Sequence, residues 1–153
     1  AAVFVLATRT LRIKAKKKIL PGEGQRNALQ EWLKDVQGKY PLKFIVSSGT
    51  ILYSFWADFF HDRWEGFRDD RERLLKFLAV NEIEGVHILT GDIHSAHAVS
   101  AELNCPSGKR LPIWEFCASP FEQSSTPYVG GPSEPISTPS GSSALRKNAL
   151  RAA

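Results

Sequence analysis

Two candidate metal ligands, Asp92 and His94, stand two residues apart in the segment Gly91-Asp92-Ile93-His94. The apolar run over residues 86–89 precedes them and predicts a buried strand that ends at Gly91. In extended backbone, residues two apart point to the same side, so a carboxylate oxygen and an imidazole nitrogen can face one metal ion. Gly91 is expected to let the backbone approach closely and turn. The alternative is an aspartate that caps a loop, beside a partly buried histidine bonded to a backbone carbonyl.

Three other polar residues are weaker candidates for a substrate pocket. His97 follows His94 by three residues and is a candidate partner of the ligands or substrate contact; the alternative is a strand histidine with a hydrogen-bonded ring. His61 and Asp62 lie in the segment 51–67, which is dense in aromatic rings and charges without a clean period. This segment is predicted to be a loop folded against a cleft. The alternative there is a loop held together by its own ion pairs.

The hydrophobic pattern predicts the elements that position these residues. Apolar residues at helical spacing predict helices over 24–36 and 70–80. Short β-rich runs predict strands over 3–6, 42–46, 86–89, 97–103 and 111–116. This order indicates an α/β fold with a mixed sheet. Open α/β sheets bind ligands beyond the carboxyl ends of their strands, which is where Asp92 is expected.

The chain is predicted to divide into a folded body, residues 1–118, and a tail, residues 119–153. The composition of the tail changes to Ser, Pro, Gly and Thr. Such a segment cannot bury enough apolar area to offset the entropy of ordering it. The tail is therefore expected to be extended or irregular.

Charge and composition argue against several classes of protein. Charged residues make up 24% of the chain, as in ordinary globular proteins, and no apolar run is long enough to cross a bilayer.

Much of the net charge of +4 lies in the basic residues between positions 9 and 18. This run is a candidate contact for nucleic acid, an acidic membrane or a phosphorylated substrate; the simpler alternative is a solvated loop. No aromatic residue is interleaved with the lysines, so nucleic-acid binding is not expected. Cys105 and Cys117 make no disulfide framework.

Several sequence blocks, taken together, resemble one known family. The blocks are Asp62-Arg63-Trp64-Glu65-Gly66-Phe67, Arg71-Glu72-Arg73-Leu74-Leu75 and Leu89-Thr90-Gly91-Asp92-Ile93-His94-Ser95. Their order and spacing are similar to the closing half of the PhoD-type alkaline phosphatases, within the calcineurin-like metallophosphoesterase superfamily. The segment 4–9, which leads to an arginine, the helix 24–33 and Trp114-Glu115-Phe116 also agree. The resemblance covers about residues 3–120.

The resemblance implies a β-sandwich flanked by helices, with a multinuclear metal site at one end. It implies that Asp92 and His94 are metal ligands, and that the complete site holds two or more metal ions, iron and calcium by analogy. The implied function is metal-dependent hydrolysis of phosphoric esters, as an alkaline phosphatase or phosphodiesterase, by in-line attack of a metal-activated hydroxide. It also implies export to the periplasm or the extracellular space.

The chain departs from the family pattern in two ways. Ala7 stands where the family usually has an aspartate. The upstream motifs that supply most of the metal ligands are absent. We therefore expect only the C-terminal half of the fold here, with the N-terminal half on another chain or segment. The alternative is a non-catalytic, metallophosphatase-derived module that serves interaction or assembly.

Overall fold

The computed structural model describes residues 1–11, 13, 23–55, 63–93, 96–118, 130–132 and 145–150. Its elements in chain order are β1 (Ala2–Val5), α1 (Gly24–Val36), β2 (Lys43–Val46), β3 (Tyr53–Phe55), a 3-10 helix (Trp64–Phe67), α2 (Arg68–Val80), β4 (Val86–Thr90), β5 (His97–Asn104), β6 (Arg110–Cys117), β7 (Gly130–Pro132) and β8 (Leu145–Leu150).

A mixed sheet of six strands forms the centre of the described structure. Its strand order is β1-β2-β4-β6-β5-β8. The first four strands are mutually parallel, whereas β5 and β8 run antiparallel to their neighbours. The predicted α/β class with a mixed sheet is confirmed. Parallel neighbours place the carboxyl ends of β1, β2, β4 and β6 at one edge, and β5 begins at that same edge.

Both helices contribute to one hydrophobic core against a single face of the sheet. Helix α1 buries Leu29, Leu33 and Val36 and has the predicted bounds. Helix α2 starts at Arg68, two residues before its predicted start. The core cluster joins both helices to Ile45 of β2 and Ile88 of β4, which are neighbours in the sheet. The sheet is thereby held rigidly from one side.

The opposite face of the sheet is apolar but incompletely covered. Val3 and Val5 of β1 are 58% and 69% exposed. Phe44, His87 and Trp114 share this face by strand register, and Phe116 follows Trp114 on the same side. Their rings form a row: Phe44 to His87 at 5.6 Å, His87 to Phe116 at 6.3 Å and Trp114 to Phe116 at 6.0 Å between centroids. We call this surface the open face. An apolar, aromatic face of this kind is typical of a contact surface.

The segment predicted as an aromatic loop contains short regular elements. Tyr53–Phe55 is a strand and Trp64–Phe67 is a 3-10 helix. Trp64 is fully buried, and its indole Nε1 donates to Ser47 Oγ at 3.0 Å. The ring therefore ties this segment to the end of β2. His61 and Asp62 lie outside the described residues.

Two segments of the tail, which was predicted to be extended or irregular, are described, and both are β-strands. β7 pairs with β3, and β8 pairs with β5 at the edge of the main sheet. Composition did not predict the pairing, because strands pair through backbone N–H and C=O groups, which all residues except proline carry in full. The remainder of the tail and the boundary at residue 118 stay a prediction. Among the described segments, none of the helices combines the length and apolar character of a membrane span.

Candidate metal centre

The segments that follow β1, β2 and β4 lie close together, because the carboxyl ends of these parallel strands meet at one edge of the sheet. Backbone hydrogen bonds continue the sheet to the strand ends, from Leu6 N to Val46 O and from Ser47 N to Leu89 O, both at 2.9 Å. Ala118 N donates to Thr90 O at 3.1 Å on the other side of β4. Backbone pairing therefore continues at this edge as far as Thr90, the residue before Gly91.

Asp92 lies just beyond this edge and is the accessible carboxylate of the site. Its side chain is 44% exposed, and the next residue, Ile93, is buried and anchors the segment. Asp92 has a φ of 75°. Aspartate tolerates this left-handed conformation better than most residues. Among the described atoms, a Cβ at Gly91 would meet Ala118 O at an ordinary 4.0 Å, so no described neighbour requires a glycine there.

Arg9 is the partner of Asp92. Its Nη2 donates to Asp92 Oδ2 in an ion pair across 83 residues of sequence, and its side chain is 51% exposed. The structure thus joins the arginine after β1 to the aspartate after β4. Because both side chains are accessible, the pair itself contributes at most about 1 kcal/mol to stability.

The segment that carries Arg9 is held by hydrogen bonds from two neighbours. Thr8 Oγ1 and Ser48 Oγ are 2.7 Å apart, and Ser48 N donates to Thr8 Oγ1 at 3.3 Å. Ala7 N donates to Gln25 Oε1, on the first turn of α1, at 3.0 Å. The end of β1 is therefore tied to the end of β2 and to a helix.

The described residues bring one candidate metal ligand to this edge of the sheet. Asp92 is a suitable oxygen ligand, but within the described ranges no group of three or more His, Cys, Asp or Glu side chains is arranged to bind metal. His94 lies outside those ranges, so its convergence with Asp92 stays a prediction. The extended backbone on which that prediction was based does not reach Asp92, because β4 ends at Thr90 and the φ of Asp92 is positive. One accessible carboxylate is too few ligands for a structural or catalytic metal site.

His97 lies inside the protein. Its Nε2 is 3.3 Å from Glu115 Oε1, and its ring stacks on Tyr53 with centroids 4.2 Å apart. Only 8% of the residue is exposed. This is the environment of a strand histidine with a hydrogen-bonded ring, and a direct substrate contact by His97 stays a prediction.

Comparison with known proteins identifies the family. A family model described as PhoD-like phosphatase matches residues 3–149, nearly the whole chain. The chain belongs to the PhoD-like phosphatase family. The resemblance noted in the sequence is thereby confirmed.

A solved structure of PhoD has a similar fold. It superimposes with a TM-score of 0.53 at 20% sequence identity. The match covers 77% of this PhoD-like chain and 26% of the chain in the solved structure. The PhoD-like chain therefore spans about a quarter of the length of that relative. No curated protein sequence matches this PhoD-like chain.

Sequence reasoning missed the buried carboxylate of this PhoD-like chain, Glu115, which bonds to the candidate residue His97. It lies in β6 with no exposed surface, and its carboxylate accepts four hydrogen bonds. A signal was present in the pattern of β6, where Leu111, Ile113, Glu115 and Cys117 all point to the buried face. A single carboxylate among apolar core positions indicates a specific internal partner, because burying an unpaired charge is costly.

Proposed function

We propose that this chain is part of a phosphoric-ester hydrolase and contributes Asp92 and His94 to a metal centre. Membership of the PhoD-like phosphatase family supports hydrolysis of phosphate esters in general, and metal dependence is common in that family. The observation that carries the proposal is the accessible Asp92 carboxylate at the carboxyl end of β4. The substrates are phosphate monoesters or diesters, and the metal ions are iron and calcium.

The remaining metal ligands come from polypeptide outside this chain. One observation supports this part of the proposal: the chain spans only about a quarter of the PhoD structure. The additional polypeptide covers the open face with a second sheet and so completes a β-sandwich. Stacked sheets pack about 10 Å apart through interdigitated apolar side chains, and Val3, Val5 and Phe116 offer such side chains.

Arg9 supports a site for anionic substrates at the same edge. Its guanidinium group is half exposed beside Asp92, so it is accessible to a phosphate group as well. Guanidinium groups bind phosphate through paired, charge-assisted hydrogen bonds. In the complete protein, Arg9 would contribute to binding the phosphate group of the substrate.

Metal binding to the chain alone tests the assignment of Asp92. NMR with Mn²⁺ is suited to this, because paramagnetic broadening reports weak sites that have few ligands. We expect broadening centred on residues 91–97 that disappears in Asp92→Asn. The matched control is Asp35→Asn, since Asp35 is also an exposed aspartate in an ion pair, with Lys39. Broadening that survives in Asp92→Asn would mean that this carboxylate is not a ligand.

Hydrolysis tests the activity. The chain is mixed with a polypeptide that carries the rest of a PhoD-like fold, and release of p-nitrophenol is measured from a monoester and a diester. Asp92→Asn should lower the rate by more than about a hundredfold, because loss of a ligand exceeds the effect of losing an outer partner. His61→Ala should have a much smaller effect. Equal losses would place catalysis in the segment around His61, and a folded complex without metal or turnover would rule out the enzyme.

A further inference from the structure

Strand β1 lies at one edge of the main sheet, and β8 lies at the other. Ala2 N and Leu6 N each donate to a carbonyl on the β2 side at 2.9 Å. In a strand, the backbone groups of successive residues point alternately to its two sides. The N–H and C=O groups of Val3 and Val5 therefore point to the outer edge of the sheet. Among the described strands, none pairs with that edge.

The two edge strands differ in composition. Strand β8 carries Arg146 and Lys147, and charged residues commonly protect an exposed sheet edge from further pairing. Residues 2–6 are alanine, valine, phenylalanine and leucine only, and their register with β2 contains no bulge. An apolar run without a charge, a proline or a bulge is typical of a strand that is covered on every side. Strand β1 thus has the composition of an interior strand at an edge position.

The side chains beside this outer edge are apolar on both faces of the sheet. On the open face, Val3 is 58% exposed and Val5 is 69% exposed. On the helix side, Phe4 packs against Trp32 of α1 with ring centroids 5.3 Å apart, and both rings are partly buried. Side chains of neighbouring strands contact each other across a sheet. A strand added at this edge would therefore fit best with apolar residues on both of its faces.

We propose that the outer edge of β1 pairs with a β-strand of the additional polypeptide that completes the β-sandwich. This inference rests on the proposed function, because that polypeptide is part of it. Two observations favour this partner. The chain spans about a quarter of the PhoD structure, so most of a PhoD-like fold lies outside it. Val3 and Val5 belong both to the open face and to the edge, so a polypeptide that covers the face reaches the edge without a gap.

Strand addition would give this contact both its affinity and its selectivity. The outward N–H and C=O groups of Val3 and Val5 supply main-chain hydrogen bonds, which accept a strand of any sequence. The apolar side chains on the two faces select a strand that is apolar on both sides, because a charged residue there would lose its contact with water. Pairing also removes an unprotected edge, which would otherwise favour aggregation.

Amide hydrogen exchange measured by NMR tests this pairing residue by residue. The full chain is measured alone and mixed with a PhoD polypeptide from which the segment that matches this chain has been removed. In the chain alone, the amides of Val3 and Val5 should exchange rapidly, whereas Leu6 N is protected by its bond to Val46 O. In the mixture, exchange at Val3 and Val5 should slow by about tenfold or more, because each amide gains a backbone hydrogen bond. Leu6 is the internal control.

Two substitutions of Val3 separate the edge from the open face. Val3→Pro removes the outward N–H group, and an edge strand tolerates proline where its N–H faces away from the ladder. Val3→Ala loses most of the same apolar contacts but keeps the N–H group. Calorimetric titration with the same polypeptide should show that Val3→Pro weakens binding about three- to tenfold more than Val3→Ala, the size of one net hydrogen bond. Equal losses would overturn the pairing.

The outcomes distinguish this inference from the proposed function. A complex that shifts the ring signals of Phe44 and Phe116 but leaves the Val3 and Val5 amides in fast exchange overturns the edge pairing alone. Slow exchange in the chain alone also overturns it: the edge is then filled by a second copy if dilution removes the protection, and by this chain itself if it does not. Absence of any complex overturns both the pairing and the completion of the fold. Protected amides in a complex without metal binding or hydrolysis support the pairing and overturn the enzyme.

Discussion

Replacing Arg71 by methionine should strongly destabilise the fold. The change keeps most of the apolar length of the side chain, so the core loses little packing. It removes the donor to Ile51 O and a buried positive charge that interacts with the fully buried Glu115. Leaving a buried acceptor without its donor costs about 1–3 kcal/mol, and the loss of the opposite charge near Glu115 acts in the same direction. That cost is a large fraction of the 5–15 kcal/mol that stabilises a typical domain.

Urea denaturation measures this cost, followed by circular dichroism and tryptophan fluorescence. For an m-value of about 2 kcal/mol per M, a loss of about 1–3 kcal/mol lowers the midpoint by roughly 1 M. The control is Arg73→Met on the same helix, because Arg73 is exposed. Exposed substitutions usually change stability by less than about 0.5 kcal/mol. The control should therefore move the midpoint by no more than about 0.3 M.

A small effect of Arg71→Met would refute the reasoning. If both arginine variants shift the midpoint equally, Arg71 does not balance Glu115, and the carboxylate must be stabilised by its backbone donors alone. A double variant distinguishes the two cases. When Glu115→Gln is added to Arg71→Met, the second change should cost much less than it does alone, because the charges that interacted are both gone.

Two further predictions concern the backbone and the thiols. Gly85→Ala places a Cβ 1.9 Å from Pro41 O at a φ of 66°, whereas the Cβ of Gly38→Ala meets no atom of the described part of the chain within 4 Å, at a φ of 78°. In the same urea assay, Gly38→Ala should lower the free energy of unfolding by about 1–2 kcal/mol, because alanine is strained in the left-handed conformation. Gly85→Ala should lower it by a further amount of about 1–3 kcal/mol, because its Cβ also overlaps the backbone of Pro41. Equal losses in the two variants would mean that the backbone near Gly85 moves to make room for the Cβ. Burial raises the pKa of the thiols of Cys105 and Cys117, so less thiolate is present at about pH 8. Both should resist iodoacetamide in the folded chain and react in urea, as measured by mass spectrometry; fast labelling of the folded chain would contradict their burial.

Local patterns were sufficient to predict most elements of the body. Helix α1 was predicted with its observed bounds because Leu29, Leu33 and Val36 follow the helical period and all pack into the core. Strand β4 was predicted within one residue because its apolar run is short, β-rich and ended by Gly91. Strand β8 was missed, since its place is decided by backbone pairing with β5 and not by its own composition.

The candidate site was predictable only in part, because its contacts are distant in sequence. Asp92 was found from its spacing to His94. The ion pair between Arg9 and Asp92 joins residues 83 positions apart, and the bonds from Ile51 to Glu115 span 64. The spacing of apolar residues along the local sequence does not predict such contacts. They become visible only when the register of the sheet brings the ends of β1, β2, β4 and β6 to one edge.

The strengths of these contacts explain why the buried ones matter for the site. The pair between Arg9 and Asp92 is accessible to water on both sides, so salt and competing ions weaken it. The hydrogen bonds of Glu115 are of the other kind. This carboxylate has no exposed surface and accepts from the backbone of residues 51–53 and from His97, so salt in the solvent screens these bonds much less. We therefore expect the packing of residues 51–53 and His97 to withstand salt concentrations that separate Arg9 from Asp92.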